Sequence, residues 1–436
     1  MLTAEENELL TRTGPGTPMG ALFRRYWLPV LLSEEIPQPD GAPVAVDVLG
    51  ERLVAFRDTA GTVGLLEERC AHRSASLVYA RNEEGGLRCI FHGWKYDASG
   101  QCVDTPTEPP ESNIQESVRL RAHPVREVGG VVWAYLGPPA KQPVFPEFSW
   151  LKLPPAQRQA YKVLQECNYA QSLERDLDPA HIPIAHRRLT DEQVRSGVRV
   201  ADLDRRETVP RVEVQETTYG FRYAAIRPRD DSFEHVRMTS YVMPCCLILG
   251  PAVGTNTVAQ LVVPKDDVSN WQFLFRFNHE EPADIAEYGA SRGLNRLEPG
   301  YRKLQNPANK HGQDREAMKT RSFTGIEGVI IEDHALAEIQ GPVVDRTRER
   351  LGATDAAVVA LRRHLLAGAR TVMSGGDPPG LDASIPFGRI IGADFVKPLR
   401  APWEEAVPLE PGFLGGWDPL PRKQLSLGTD RRNMSC

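Results

Sequence analysis

Two short knots of residues could do chemistry near the front of this chain: Cys70-Ala71-His72 and Cys89-Ile90-Phe91-His92. Each pairs one sulfur with one imidazole, as C-x-H and then C-x2-H. A structural zinc site usually groups its ligands differently, as C-x2-4-C followed by H-x3-5-H. Mixed pairs suit a two-iron, two-sulfide cluster gripped from both sides, each loop giving its Cys to one iron and its His to the other. Exchanging two thiolates for neutral imidazoles on one iron raises the reduction potential and makes that iron the electron-accepting end. Gly93 and Gly100 follow the second knot and suit backbone that turns tightly near the sulfides. Zinc, or four unrelated residues, is the plainer alternative.

A second constellation lies in "NYAQSLERDLDPAHIPIAHR", residues 168–187, where Asp178, His181 and His186 form a D-x2-H-x4-H pattern. Two imidazoles and one carboxylate can make a facial triad that leaves positions open on Fe(II) for dioxygen. His181 and His186 are five apart, which a regular helix does not place on one face. Pro183 between them permits a break that lets the two rings converge. Taken singly, Asp178 reads as a helix cap before Pro179, and each His as a surface residue.

These residues need elements to position them. From 43 to 136 short β-rich runs ("PVAVDVLG", "ERLVAFRD", "TVGLLEE", "LRCIF", "GVVWAYLG") alternate with turn stretches such as "RDTAGT", "EEGG" and "DASGQ". This predicts a small β domain over 43–136, after an N-terminal segment 1–42 that packs on the remainder. A Pro-rich linker follows over 137–150, and a larger domain over 151–436. In the larger domain, Cys167, Ala170, Gln171 and Glu174 fall on one helical face. Long strand patterns between 208 and 276 favour an antiparallel sheet. Residues 355–373 read as an amphipathic helix with Asp355 helping to cap its start. The fold class is α+β.

Composition narrows the function. Fifty-two basic against 58 acidic residues leave a net charge of −6, which argues against a nucleic-acid partner. The opening "MLTAEENELLTRTGPG" is polar where a secretory signal is apolar, and runs such as "CCLILG" are too short to span a bilayer. No membrane association and a cytoplasmic location are expected. Seven cysteines without export point to free or ligating thiols. No strand-GxGxxG-helix fingerprint is present, so a nicotinamide-using step is expected in a partner protein.

The Cys-His knots resemble those of the Rieske domain. Neither loop carries the additional Cys of the respiratory type, so the likeness is to the oxygenase and ferredoxin branch. With the second constellation, the chain resembles the Rieske non-haem iron oxygenases, terminal (alpha) components of ring-hydroxylating and O-demethylating systems, and within them the phthalate-dioxygenase-like branch. The likeness runs through "GTPMGALFRRYWLPV", the two loops, "NYAQSLERDLDPAHIPIAH" and "EDHALAEIQGPVVDRTRERLGATD". It implies a Rieske [2Fe-2S] cluster held by Cys70, His72, Cys89 and His92. It implies a helix-grip catalytic domain with mononuclear Fe(II) held by His181, His186 and Asp333, with Glu332 and Glu338 as rivals to Asp333. By the same resemblance Asp178 is a bridge, joining His92 to His181 between subunits of a head-to-tail homotrimer. O2 is the co-substrate, a small aromatic acid or methoxylated phenol the substrate, and a separate NAD(P)H-dependent flavin/iron-sulfur reductase the electron source. Arg227 and Arg237, on predicted strands, are candidates to hold a substrate carboxylate. The chain departs from common family residues at Arg175, often Gly, and at Glu332, often Gln. The competing reading is a Rieske electron-transfer protein without a catalytic iron. The specific substrate, and a mono- or dioxygenase outcome, are not legible.

Overall fold

Short alternating runs at the front become small antiparallel sheets. Val44–Val48, Glu51–Arg57 and Val63–Glu67 form one, and Arg81–Glu83, Gly86–Arg88, Lys95–Asp97 and Cys102–Asp104 form another. The computed structural model describes residues 2–196, 208–250, 256–283 and 285–409. The "LRCIF" run is strand only as far as Arg88; from Cys89 the backbone turns into a loop. A third sheet joins Trp27–Leu32 to Val131–Tyr135, with Val125–Val128 outside it. The strand at Trp27–Leu32 has no clear signal in the sequence, because Pro29 inside "WLPVLL" argues against a strand.

The larger unit is built on an antiparallel sheet. Its strands lie in the order Arg158–Gln165, Asn270–Phe277, Thr257–Pro264, Cys246–Leu249, Phe233–Val242, Gly220–Pro228, Arg211–Thr217. Ala393–Pro398 pairs with the first half of Phe233–Val242. Side chains alternate across a strand, so the two faces divide the work. On one face Phe275 and Phe277 stack against Trp133 and Trp150, at centroid distances of 6.1 and 5.3 Å. On the other, Gln272 donates from Nε2 to Asp176 Oδ2 at 3.2 Å and its Oε1 lies 2.6 Å from His334 Nε2. That face carries the two helices of the site.

The first, Tyr169–Leu177, opens at Asn168, whose side chain accepts from the Ala170 N–H. It is buried along most of its length, as the shared face of Ala170, Gln171 and Glu174 foretells; Cys167 lies just before it. Glu174 holds it to the C-terminal part through Arg346 (2.9 Å) and Arg362 (2.7 Å). The second, Val329–Glu338, carries Asp333. A third helix, Ala356–Met373, matches the amphipathic pattern, but Asp355 does not cap it: the carboxylate accepts from the Gly352 N–H instead. No helix among the described residues is long and apolar enough to cross a membrane.

Candidate metal centres

The two Cys-His loops are built alike. The Cys70 N–H donates to Ala75 O and the Ser74 N–H returns to Cys70 O, both at 2.9 Å. In the second loop the Cys89 N–H donates to Trp94 O and the Gly93 N–H returns to Cys89 O, at 2.8 and 2.9 Å. The fourth residue after each Cys takes a positive φ, +57° at Ser74 and +77° at Gly93. Glycine suits that backbone; serine there was invisible as a signal. At Gly93 a Cβ would stand 2.7 Å from Pro106 Cγ.

Folded this way, the loops bring Cys70, Cys89, His72 and His92 to one end of the small sheets. Both cysteines are buried, and burial, with Cys70 close by, pushes the Cys89 thiol up. The His72 and His92 rings lie 4.4 Å apart, and Trp94 stacks on His72 at 4.6 Å. His72 Nδ1 is buried without a partner. Two thiols with two imidazoles, one of them presenting an unused buried nitrogen, fit a Rieske cluster. The Tyr96 hydroxyl lies 3.2 Å from Cys70 Sγ. Ile90 and Phe91 stand exposed at the loop tip, with Arg73 over the Phe91 ring.

The second group forms where the two sheet-covering helices meet. His181 and His186 flank a single helical turn, Ile182–Ala185, with Pro183 inside it. The break turns both Nε2 atoms onto one oxygen: Asp333 Oδ1 lies 3.2 Å from His181 and 3.1 Å from His186. Ligand atoms of all three lie within 4.8 Å of one another, which fits a single metal ion. Glu332 stands behind, its Oε2 2.9 Å from His186 Nδ1, and its Oε1 accepts from Thr324. Glu338 points elsewhere, to Lys303 at 2.7 Å. Although burial opposes charge on His181, Asp178 and Asp333 push it up to about 9, and His186 is raised by Asp333 and Glu332 in the same way. Both shifts belong to the protein without metal. Asp178 accepts from the Ala180 N–H at 2.7 Å, and its Oδ2 lies 3.5 Å from His181 Nδ1.

Arg227 and Arg237 share a sheet face: Ala225 pairs with Arg237, and Arg227 with His235. Arg227 Nη2 donates to Pro179 O at 2.7 Å, in the loop between Asp178 and His181. Arg237 keeps a buried Nε without a partner. The sequence presents Glu332 as a rival ligand; its contact with His186 spans 146 residues of sequence and leaves no local signal.

Comparisons with known proteins bear on the fold and the family. Residues 26–124 match the Rieske [2Fe-2S] domain model and residues 134–407 the LigXa C-terminal domain like model. The chain is 41% identical to the phthalate 4,5-dioxygenase oxygenase subunit of Pseudomonas putida, across 84% of this chain and 86% of that one. It is 33% identical to the 5,5'-dehydrodivanillate O-demethylase oxygenase subunit of a Sphingobium species, across 89% and 86%. Among solved structures, NdmA of Pseudomonas putida CBB5 shares the fold at a TM-score of 0.58 and 20% identity, covering 84% of this chain and 99% of that one. A Rieske unit ahead of this sheet-and-helix unit, with relatives that are oxygenase subunits over most of the chain, favours an oxygenase over a bare electron carrier. The chain belongs to the Rieske non-haem iron oxygenases, whose cofactors are a [2Fe-2S] cluster and a mononuclear iron and whose co-substrate is dioxygen.

Proposed function

We propose that this chain is the terminal oxygenase of a multicomponent system, using electrons from a separate NAD(P)H-dependent reductase to hydroxylate or O-demethylate a small aromatic acid or methoxylated phenol. Cys70, His72, Cys89 and His92 hold the cluster, and His181, His186 and Asp333 hold the iron. The observation that carries this is the convergence of both His Nε2 atoms on one Asp333 oxygen, beside a helix break that the sequence builds with Pro183. When bound, the two groups supply one-electron transfer and activation of dioxygen.

The chain's own residues prepare that chemistry. Glu332 accepts from His186 Nδ1 and so keeps Nε2 free as a donor to metal, the usual task of a carboxylate behind a ligating imidazole. Asp178 Oδ2 faces His181 Nδ1 across 3.5 Å, a longer approach that leaves that nitrogen without a hydrogen bond. In a head-to-tail homotrimer Asp178 also meets His92 of a neighbouring subunit, a heterologous contact that closes into a ring. The exposed Ile90 and Phe91 beside His92 support a partner at that tip. Arg237, with its unused buried donor, supports an anionic group on the substrate; Arg227 holds the Pro179 loop in place.

His181→Ala should lose the mononuclear iron and keep the visible spectrum of the cluster. Iron retained at the wild-type level removes the ligand assignment. Oxygen uptake with a surrogate reductase, screened over aromatic acids and aromatic ethers, tests the substrate class. Stimulation by neither group removes it.

A further inference from the structure

The guanidinium of Arg175 is buried against the His181–His186–Asp333 group with most of its donors unused. Its side chain is 5% exposed. Nη1 lies 2.7 Å from Asp176 Oδ1 and 3.7 Å from Asp333 Oδ2, while Nε and Nη2 are buried and have no partner. Donors of a buried cation are costly to leave unpaired. The next acceptor beyond Asp176 is Asp333, which faces Nη1. Its Oδ1 is shared between the two imidazoles, and its Oδ2 faces Arg175. Arg175 is itself anchored from the sheet, because Asp176 also accepts from Gln272 Nε2 at 3.2 Å.

We propose that Arg175 is a positioning residue that draws Asp333 Oδ2 to itself and confines metal ligation to Oδ1. This rests on the reading that His181, His186 and Asp333 hold the iron. A carboxylate binds a metal through one oxygen or through both. The two-oxygen mode occupies a position that a facial triad otherwise leaves open. A planar guanidinium can serve Asp176 and Asp333 at once; the compact ammonium of lysine cannot.

The test uses the full-length protein with its cluster intact and Co(II) loaded into the mononuclear site. Cobalt K-edge absorption reads that metal alone, without interference from cluster iron. The wild type should show a one-oxygen carboxylate, with the carboxylate carbon far from cobalt. Arg175→Met and Arg175→Lys should both shorten the cobalt–carbon distance and weaken the pre-edge feature as coordination rises. Lysine keeps a positive charge beside Asp176, so it is informative should the Met variant fail to fold. A two-oxygen carboxylate in the wild type, or the same geometry in all three proteins, overturns the proposal. Unchanged cobalt geometry with weakened benzoate binding also overturns it, by assigning the free donors to a substrate anion. His181→Ala separates the two ideas: if it retains cobalt like the wild type, the ligand reading fails and the role of Arg175 with it, whereas loss of cobalt there with unchanged geometry in the Arg175 variants removes the role of Arg175 alone.

Discussion

Single residues at the proposed iron site are set by neighbours far away in sequence. Glu332 is fully buried and faces His186 with one oxygen and Thr324 with the other. Glu332→Ala should weaken iron retention by about 10- to 100-fold, read as iron content after dialysis against a chelator, while cluster absorbance stays constant. The residues proposed to hold the metals stand out in the sequence, because Cys-x-His, Cys-x2-His and the His pair around Pro183 are local patterns. What surrounds them does not. Glu332 looked like a competing ligand because it adjoins Asp333, and only the helix places it one residue round, behind the imidazole. Arg175 stood out as a departure, with nothing local to say what it faced.

At the scale of elements, β-rich runs announced strands even without alternation, as in "GVVWAYLG", whereas Trp27–Leu32 carries Pro29 inside it, which argues against a strand on sequence alone. The matched loops give a sharp contrast. Gly93→Ala meets Pro106 and adds a side chain at positive φ, which should cost about 1–3 kcal/mol and release cluster absorbance at a lower temperature. Ser74→Gly at the equivalent position should change stability by less than about 1 kcal/mol. The helix Tyr169–Leu177 depends on Glu174. Burial disfavours its charge, but Arg346 and Arg362 outweigh that and hold its carboxyl below the ordinary 4.5. The folded state therefore binds this proton less readily than the unfolded chain. The stabilisation is complete above pH 4.5 and is lost as pH falls through the depressed value. Glu174→Ala leaves the buried Arg346 without its carboxylate and Arg362 with Glu349 alone, and should cost about 3–5 kcal/mol, seen as a fall in Tm near neutral pH. The same variant should flatten the acid limb of stability against pH.

For the whole molecule, the proposed ring of subunits makes a distinctive demand. A subunit lacking its cluster (His72→Ala) and a subunit lacking its iron (His181→Ala) should each be inactive alone. Co-expressed, they should regain turnover, because an intact cluster then sits beside an intact iron in the next subunit. Mixed assemblies that stay inactive would place the transfer within one chain. Asp178→Asn should leave both metals bound and lower turnover about 10- to 100-fold, with the cluster remaining reduced under turnover. The pairing of Trp27 with Tyr135 and of Leu32 with Val131 has a wider meaning. The chain departs toward the cluster and returns from it at adjacent points, clamped as two strands of one sheet. Everything between is a cassette in the topological sense, attached at a single doorway. Tolerated insertions have their ends close together in this way. Beside that doorway the Leu49 N–H donates to Pro264 O and Trp271 Nε1 to Asp47 O, both at 2.8 Å, so the cassette is also latched where it sits on the larger unit.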